Sequence, residues 1–186
     1  MKTFVLVYEG YVQFEIVLAC YLMKTKSRII TVGLDSAPVN SYEGFKVLPQ
    51  ISLAELDTEK ADIFIMPGGN PEPLLGCSRL KDTVSRMNSG GTILAAICSA
   101  PLILARAGVL SGKKFTTSLP VDEFTSFSKG IYTGQDVEID GNILTAKANA
   151  YVDFAIEAGK MLGIFRDNQD LNETIQYFKY FKDVFR

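Results

Sequence analysis

The sequence predicts an α/β fold: a single-domain, doubly wound, mostly parallel sheet with helices on both faces, covering residues 1–186. Short apolar runs alternate with helical periodicity along the chain. The runs at 63–66 and 92–97 are apolar at almost every position, as expected for strands covered on both sides. A length of 186 residues with 47% hydrophobic content suits one core.

The elements of the first half follow from periodicity and turn residues. The helix after the first strand has Ile16, Ala19 and Met23 at helical spacing, and the strand ending at Met66 is stopped by a Pro-Gly-Gly turn. The predicted strands are 3–8, 28–33, 63–66 and 92–97, and the predicted helices are 13–23, 78–88 and 100–107. A Glu-Gly turn predicts a hairpin over 41–49, followed by one helical turn over 52–56.

After Ala107 the pattern changes to short strands that we expect to extend the sheet edge. They lie at 115–117, 131–133, 137–139 and 143–145, and the last two form a hairpin around an Asp-Gly-Asn turn. Two helices over 151–162 and 170–185 close the chain. The second carries an apolar stripe for core or dimer packing, formed by Leu171, Ile175, Phe178, Phe181 and Phe185.

Composition excludes several classes of function. A net charge of −2 and a pI near 5.3, with scattered Lys and Arg, argue against nucleic-acid binding. The start of the chain lacks a signal-peptide pattern and no apolar run is long enough to span a membrane, so we expect a cytoplasmic protein without a membrane partner. Three cysteines without metal-type spacing, in a chain with no histidine, predict no disulfide and no metal. We expect no cofactor.

Cys98 is the first candidate for chemistry. It ends an apolar strand and is followed directly by a predicted helix, an arrangement typical of a nucleophile elbow. The positive end of the helix favours the thiolate, so the sequence predicts a low pKa for this thiol. Because the chain has no histidine, the usual base of a catalytic cysteine is absent and another group must move the proton.

Three segments are expected to meet beside Cys98. Loops that follow the carboxyl ends of parallel strands form a crevice at one edge of an open sheet. Here these loops are residues 9–15, residues 67–71 and Cys98-Ser99. The sequence therefore predicts the site at this edge.

At this point the chain resembles the ThiJ/PfpI superfamily. The resemblance rests on four segments in the correct order: Glu9–Glu15, Pro67–Asn70, the Ala95–Cys98 elbow and Phe115-Thr116-Thr117. It runs from about Lys2 to Gly163. It implies a flavodoxin-like, class I glutamine amidotransferase-like fold and favours a homodimer.

The resemblance also implies roles for individual residues. Cys98 matches the elbow cysteine of the family, and Glu15 matches the acidic residue that hydrogen-bonds the sulfur. The backbone amides of Gly69 and Ser99 match the pair that would hold an oxyanion, and Gly68 and Asn70 would line the pocket. Two departures stand out: Ser118 occupies a position that is often histidine in the family, and Ala146–Ala150 replaces an Arg-Gly-Pro or Asn-Gly segment.

The residues themselves suggest different chemical roles for Glu15 and Cys98. A carboxyl flanked by Phe14 and Ile16 and facing a sulfur is desolvated, which favours its protonated form. Glu15 could then donate a hydrogen bond to the thiolate and return a proton during addition to a carbonyl. Ser118 is a poor substitute for histidine, because a hydroxyl is no base near neutral pH. The other two thiols, Cys20 and Cys77, are expected to serve packing only.

Two functional classes remain open. The first is a cysteine-dependent glyoxalase or deglycase, in which the Cys98 thiolate adds to a small reactive aldehyde such as methylglyoxal and Glu15 moves the proton. The second is a non-enzymatic redox sensor or stress-interaction protein that acts through oxidation of Cys98. A peptidase or amidotransferase-like hydrolase is disfavoured, because both reactions require protonation of a leaving amine.

Overall fold

The computed structural model describes residues 1–184, which contain eleven strands and six α-helices. The strands are β1 (Lys2–Leu6), β2 (Arg28–Gly33), β3 (Val39–Asn40), β4 (Lys46–Val47), β5 (Ile51–Ser52), β6 (Ile63–Met66), β7 (Ile93–Ile97), β8 (Lys114–Phe115), β9 (Ile131–Tyr132), β10 (Val137–Asp140) and β11 (Ile143–Ala146). The helices are α1 (Phe14–Met23), α2 (Glu72–Leu75), α3 (Ser78–Ser89), α4 (Pro101–Arg106), α5 (Tyr151–Leu162) and α6 (Asn168–Phe178).

Seven of these strands form the central sheet, in the order β10-β11-β7-β6-β1-β2-β5. Every neighbouring pair is parallel except β10 and β11. Helices cover the sheet, with α1 packed on α5 and α3 packed on α4. The central strand β6 is fully buried, which explains its uninterrupted apolar sequence. The α/β fold with a mostly parallel sheet is confirmed.

One prediction for the first half of the chain is met only in part. The segment 52–56 begins as an edge strand, in which Ile51 and Ser52 pair with Val32 and Gly33. It continues as a single turn closed by a hydrogen bond from Glu55 N to the Ser52 carbonyl at 3.1 Å. The Glu55 carboxylate then accepts hydrogen bonds from the Ser52 backbone N–H at 2.9 Å and from its hydroxyl at 2.7 Å. This turn directs Leu53 into the core. The hairpin is present, with β3 antiparallel to β4.

The short strands of the second half extend the sheet only in part. The β10–β11 hairpin joins the sheet through β7 as predicted, whereas β8 and β9 form a separate two-stranded parallel sheet. The cause is a side chain: Asp140 accepts hydrogen bonds from Lys114 N at 3.0 Å and Lys113 Nζ at 2.9 Å. Because a carboxylate takes the place of ladder bonds, β8 lies against β10 without continuing the sheet.

The last helix is shorter than predicted. It ends at Phe178, and Phe181 beyond it has a φ of 56°. The side chain of Phe181 is 90% exposed, so the prediction that it packs in the core is wrong. Leu171 and Ile175 are half-buried, and Phe185 lies outside the described residues. Over residues 1–184 no helix has the length and apolarity needed to cross a membrane. The cytoplasmic location stays a prediction.

Candidate active site

Cys98 lies at a sharp turn between β7 and α4. Its φ is 63°, a left-handed conformation that costs free energy for any residue with a side chain. The surrounding backbone fixes it: Cys98 N donates to the Ala146 carbonyl at 2.8 Å, and the Cys98 carbonyl accepts from Ser118 N at 2.9 Å and the Thr117 hydroxyl at 2.7 Å. The half-buried thiol is thereby presented at the carboxyl edge of the sheet.

Glu15 reaches the thiol from the first turn of α1. Its side chain is only 2% exposed and hydrogen-bonds the Cys98 side chain. The same carboxyl accepts a hydrogen bond from the Gly68 N–H at 2.9 Å. A Cβ atom at Gly68 would lie 2.6 Å from Glu15 Oε2 and 2.9 Å from Cys98 Sγ. Glycine is therefore required where the two side chains meet.

Burial raises the pKa of both acidic groups, and the charge of Glu15 raises the pKa of Cys98 further. Burial raises the pKa of Glu15, although the Gly68 N–H and Cys98 oppose the shift. Burial, followed by the charge of Glu15, raises the pKa of the Cys98 thiol to about 11. The low thiol pKa predicted from the sequence is therefore wrong for a thiol beside ionised Glu15. Ionised Glu15 thus disfavours the thiolate, and a thiolate at Cys98 is favoured only when Glu15 carries a proton.

One backbone donor contacts the sulfur, and a second lies in the loop after β6 without a partner in the described part of the chain. Ser99 N–H hydrogen-bonds the Cys98 side chain, and Gly69 N–H has no hydrogen-bond partner within residues 1–184. Gly69 has a φ of 127°, and a Cβ there would lie 2.5 Å from the Gly10 carbonyl oxygen, so only glycine fits. The Ser99 hydroxyl donates to the Gly69 carbonyl at 2.8 Å and ties the two segments together.

Tyr8 is a residue of the site that the sequence did not predict. Its buried hydroxyl donates to the Gly68 carbonyl at 2.7 Å, and Val12 N donates to the same oxygen at 2.9 Å. In a planar trans peptide the C=O and the following N–H point in opposite directions. Two donors on the Gly68 carbonyl therefore fix the direction of the Gly69 N–H. A tyrosine at the end of an apolar strand carries no signal for this contact.

The other two predicted pocket residues, Ser118 and Asn70, make different contacts. Ser118 contacts Cys98 through its hydroxyl and is exposed at the mouth of the site. Asn70 is exposed, and its side-chain oxygen accepts a hydrogen bond from Glu72 N at 3.1 Å at the start of α2. The segment 147–150 begins at the end of β11 and forms a short 3₁₀ turn beside Ser118.

The other cysteines lie elsewhere in the fold. Burial raises the pKa of Cys20 on α1 to about 12, and Cys77 precedes α3. Among the described residues, no group of three or more His, Cys, Asp or Glu side chains could hold a metal ion.

Fold and site together define an α/β protein with a cysteine at a nucleophile elbow and a buried glutamate against its sulfur. The model of the DJ-1/PfpI family matches residues 1–161, and the chain belongs to that family. The resemblance recognised in the sequence is confirmed.

Several named relatives are similar over most of the chain. Protein dj-1beta of Drosophila melanogaster is 29% identical over 164 residues, covering 85% of this chain and 87% of its own length. A Bacillus subtilis protein named uncharacterized protease YoaZ is 31% identical over 173 residues, with 84% and 79% covered. A deglycase of Thermococcus kodakarensis is 24% identical over 149 residues, with 79% and 90% covered.

Solved structures agree with the fold. The crystal structure of Drosophila melanogaster DJ-1beta has a TM-score of 0.81 at 26% identity and covers 94% of this chain and 95% of its own. A DJ-1 superfamily protein of Agrobacterium tumefaciens has a TM-score of 0.87 at 24% identity and covers 98% and 100%. The second likeness concerns the fold alone.

Proposed function

We propose that this chain is a cysteine-dependent enzyme of the glyoxalase or deglycase type, acting on small reactive aldehydes such as methylglyoxal. The observation that carries the proposal is the contact between the Cys98 thiol and the buried Glu15 carboxyl beside Gly68. The similarity to a protein named as a deglycase supports the same class of reaction.

The first step is addition of sulfur to the aldehyde. The proton of the pair resides on Glu15 while the Cys98 sulfur forms a bond to the aldehyde carbon, and the C=O π electrons move to oxygen. The N–H groups of Gly69 and Ser99 stabilise the developing oxyanion. Glu15 then protonates this oxygen, which gives a hemithioacetal and leaves Glu15 as a carboxylate.

The second step converts the hemithioacetal of methylglyoxal to a hydroxy acid. The Glu15 carboxylate removes the proton from the sulfur-bearing carbon and returns it to the neighbouring carbon. The proton of the hemithioacetal hydroxyl moves to the former ketone oxygen, which leaves a C=O next to sulfur and so produces a thioester. Water hydrolyses the thioester to lactate and regenerates the thiol. The net reaction is methylglyoxal plus water to lactate, so no external oxidant or reductant is needed.

Turnover by purified protein tests the proposal. Wild type should consume methylglyoxal and release lactate, Cys98→Ser should abolish both, and Glu15→Gln should lower the rate by about 10²–10⁴-fold. Cys77→Ser is the control and should retain the wild-type rate. Lactate formation that survives Cys98→Ser would contradict the assignment.

Turnover, measured together with peroxide oxidation of Cys98, distinguishes the enzyme from a redox sensor. The Ser99 N–H and the Ser118 hydroxyl, which contact the sulfur, would also stabilise the oxygens of a sulfinic acid at Cys98. If wild type shows no turnover but mild peroxide converts Cys98 selectively to the sulfinic acid, the result supports a redox sensor and contradicts an enzyme. Absence of both turnover and selective oxidation would remove both functions.

We also infer a homodimer formed through α1. The exposed side of this helix presents Phe14 and Val17, which are 51% and 50% exposed, next to Phe45 of the β3–β4 hairpin. They line an open apolar cavity of about 610 Å³. A patch of this kind on a protein surface is typical of a protein interface.

Val17→Asp should convert a dimer to a monomer in sedimentation velocity, whereas Arg79→Asp on α3 should not. A monomeric wild type would contradict the inference.

A further inference from the structure

Ser118 is held against Cys98 by the backbone. The Ser118 N–H donates to the Cys98 carbonyl at 2.9 Å, and the neighbouring Thr117 hydroxyl donates to the same oxygen at 2.7 Å. The backbone of Ser118 is thereby fixed to that of Cys98. Ser118 is exposed, and its hydroxyl hydrogen-bonds the Cys98 sulfur from the solvent side of the site. Glu15 contacts the same sulfur from α1.

The direction of the Ser118 hydroxyl is also set. The Ala148 N–H donates to Ser118 Oγ at 2.9 Å. A hydroxyl has one proton and two lone pairs, so an N–H that occupies a lone pair leaves the proton to be donated elsewhere. The Cys98 sulfur is the acceptor within reach.

The Ala148 N–H is itself a fixed donor. Lys147 N donates to the Asp136 carbonyl at 2.9 Å, and Lys147 Nζ donates to the Gly134 carbonyl at 2.6 Å. These bonds hold the start of the 147–150 segment against the loop before β10. Ser118 and the 147–150 segment, which appeared in the sequence as two separate departures from the family pattern, form one hydrogen-bonded unit.

We propose that Ser118 is a hydrogen-bond donor to the nucleophile: its hydroxyl, oriented by the Ala148 N–H, stabilises the Cys98 thiolate. The proposal rests on the nucleophilic role of Cys98 but requires no turnover. Ser118 accepts no proton in it, so the objection that a hydroxyl is a poor base does not apply. The titratable groups that also act on this pair are Glu15, Tyr8 in the loop after β1, and Glu43 of the hairpin through Glu15.

A matched pair of variants tests the role of the hydroxyl. Ser118→Thr keeps the hydroxyl and Ser118→Val replaces it with a methyl group of similar volume. The readout is the rate of Cys98 alkylation by iodoacetamide between pH 5 and 10, followed by peptide mass spectrometry. We expect Ser118→Val to move the profile to higher pH and to slow Cys98 alkylation about tenfold at neutral pH, as expected for loss of one hydrogen bond to a charged sulfur. Ser118→Thr should keep the wild-type profile.

Two controls make the outcome decisive. Ser111→Ala removes an exposed hydroxyl that has no hydrogen bond within residues 1–184 and should leave the profile unchanged. A Ser118→Val profile identical to wild type would overturn the proposal, as would equal slowing by the Thr and Val variants. Absence of methylglyoxal turnover in wild type would overturn the proposed function but leave the alkylation result intact, so the two failures are distinguishable.

Discussion

The Glu15 carboxyl and the Cys98 thiol meet across the backbone of Gly68, where a single added carbon would lie within 3 Å of both. The Gly68 N–H donates to Glu15 Oε2 at 2.9 Å, so the glycine both leaves room for the pair and orients the carboxyl. This contact brings α1, the loop after β6 and the elbow after β7 to one point. Substitutions at this point, and at the donors around it, should therefore have distinct and measurable effects.

Gly68→Ala should disrupt the pair directly. The new methyl group would lie 2.6 Å from both Glu15 Oε2 and Cys98 Cβ, so one of them has to move. We expect a loss of about 1–3 kcal/mol in the free energy of unfolding, as for other overpacked sites, together with loss of activity. Gly76→Ala is the matched control, since its Cβ would meet nothing within 4 Å and its φ is −85°. Equal stability of the two variants in urea would contradict the geometry.

Glu15→Gln should change how stability depends on pH. Burial raises the pKa of Glu15 in the folded protein, so the folded state holds a proton that the unfolded state releases. This contribution is fully present below the ordinary carboxyl pKa of about 4.5 and is lost as pH rises through the raised folded value. The stability of wild type relative to Glu15→Gln, measured by urea unfolding from pH 4 to 8, should therefore fall with rising pH. A relative stability that rises with pH would mean that the folded carboxyl pKa is lowered.

Tyr8→Phe should loosen the Gly69 N–H. The variant loses the hydrogen bonds to the Gly68 and Pro67 carbonyls at 2.7 and 3.2 Å, while Val12 N still bonds Gly68. We expect about 1 kcal/mol lower stability and a lower kcat for methylglyoxal, because the oxyanion donor is less well aligned. Tyr21→Phe on the exposed side of α1 is the control. An unchanged kcat in Tyr8→Phe would show that Tyr8 does not align the oxyanion site.

The protein should neither hydrolyse peptides nor release ammonia from glutamine. Both reactions expel an amine that has to be protonated, a task usually performed by a histidine beside the cysteine, and the sequence contains none. Ammonia release that depends on Cys98 would show that Glu15 or a tyrosine can protonate an amine leaving group.

The position of the site follows from the sequence because parallel strands place their following loops at one edge. The order of strands and loops along the chain is enough to bring Glu15, Gly69 and Cys98 together by that rule. Tyr8 and the link from Ala148 to Ser118 could not be predicted, because each depends on the direction of one hydrogen bond between segments far apart in the chain. Sequence periodicity carries no information about such contacts.

The errors in the fold have similar causes. The β8–β9 pair lies outside the main sheet because the Asp140 side chain accepts hydrogen bonds from Lys113 and Lys114. The segment 52–56 forms a turn around the Glu55 carboxylate. Both are side-chain contacts that override local propensity. The low pKa predicted for Cys98 failed because the sequence cannot state how deeply the thiol and Glu15 are buried together.

Competitive alkylation of the three cysteines is the sharpest test of whether Cys98 and Glu15 act as one reactive pair. Native protein is treated with a limiting amount of iodoacetamide at pH 7, and the modified peptides are counted by mass spectrometry. We predict that Cys98 reacts before Cys20 and Cys77, and that Glu15→Gln slows Cys98 while leaving Cys77 unchanged, because the carboxyl takes up the thiol proton. Faster reaction of Cys20 or Cys77 in wild type, or an unchanged Cys98 rate in Glu15→Gln, would contradict the pairing.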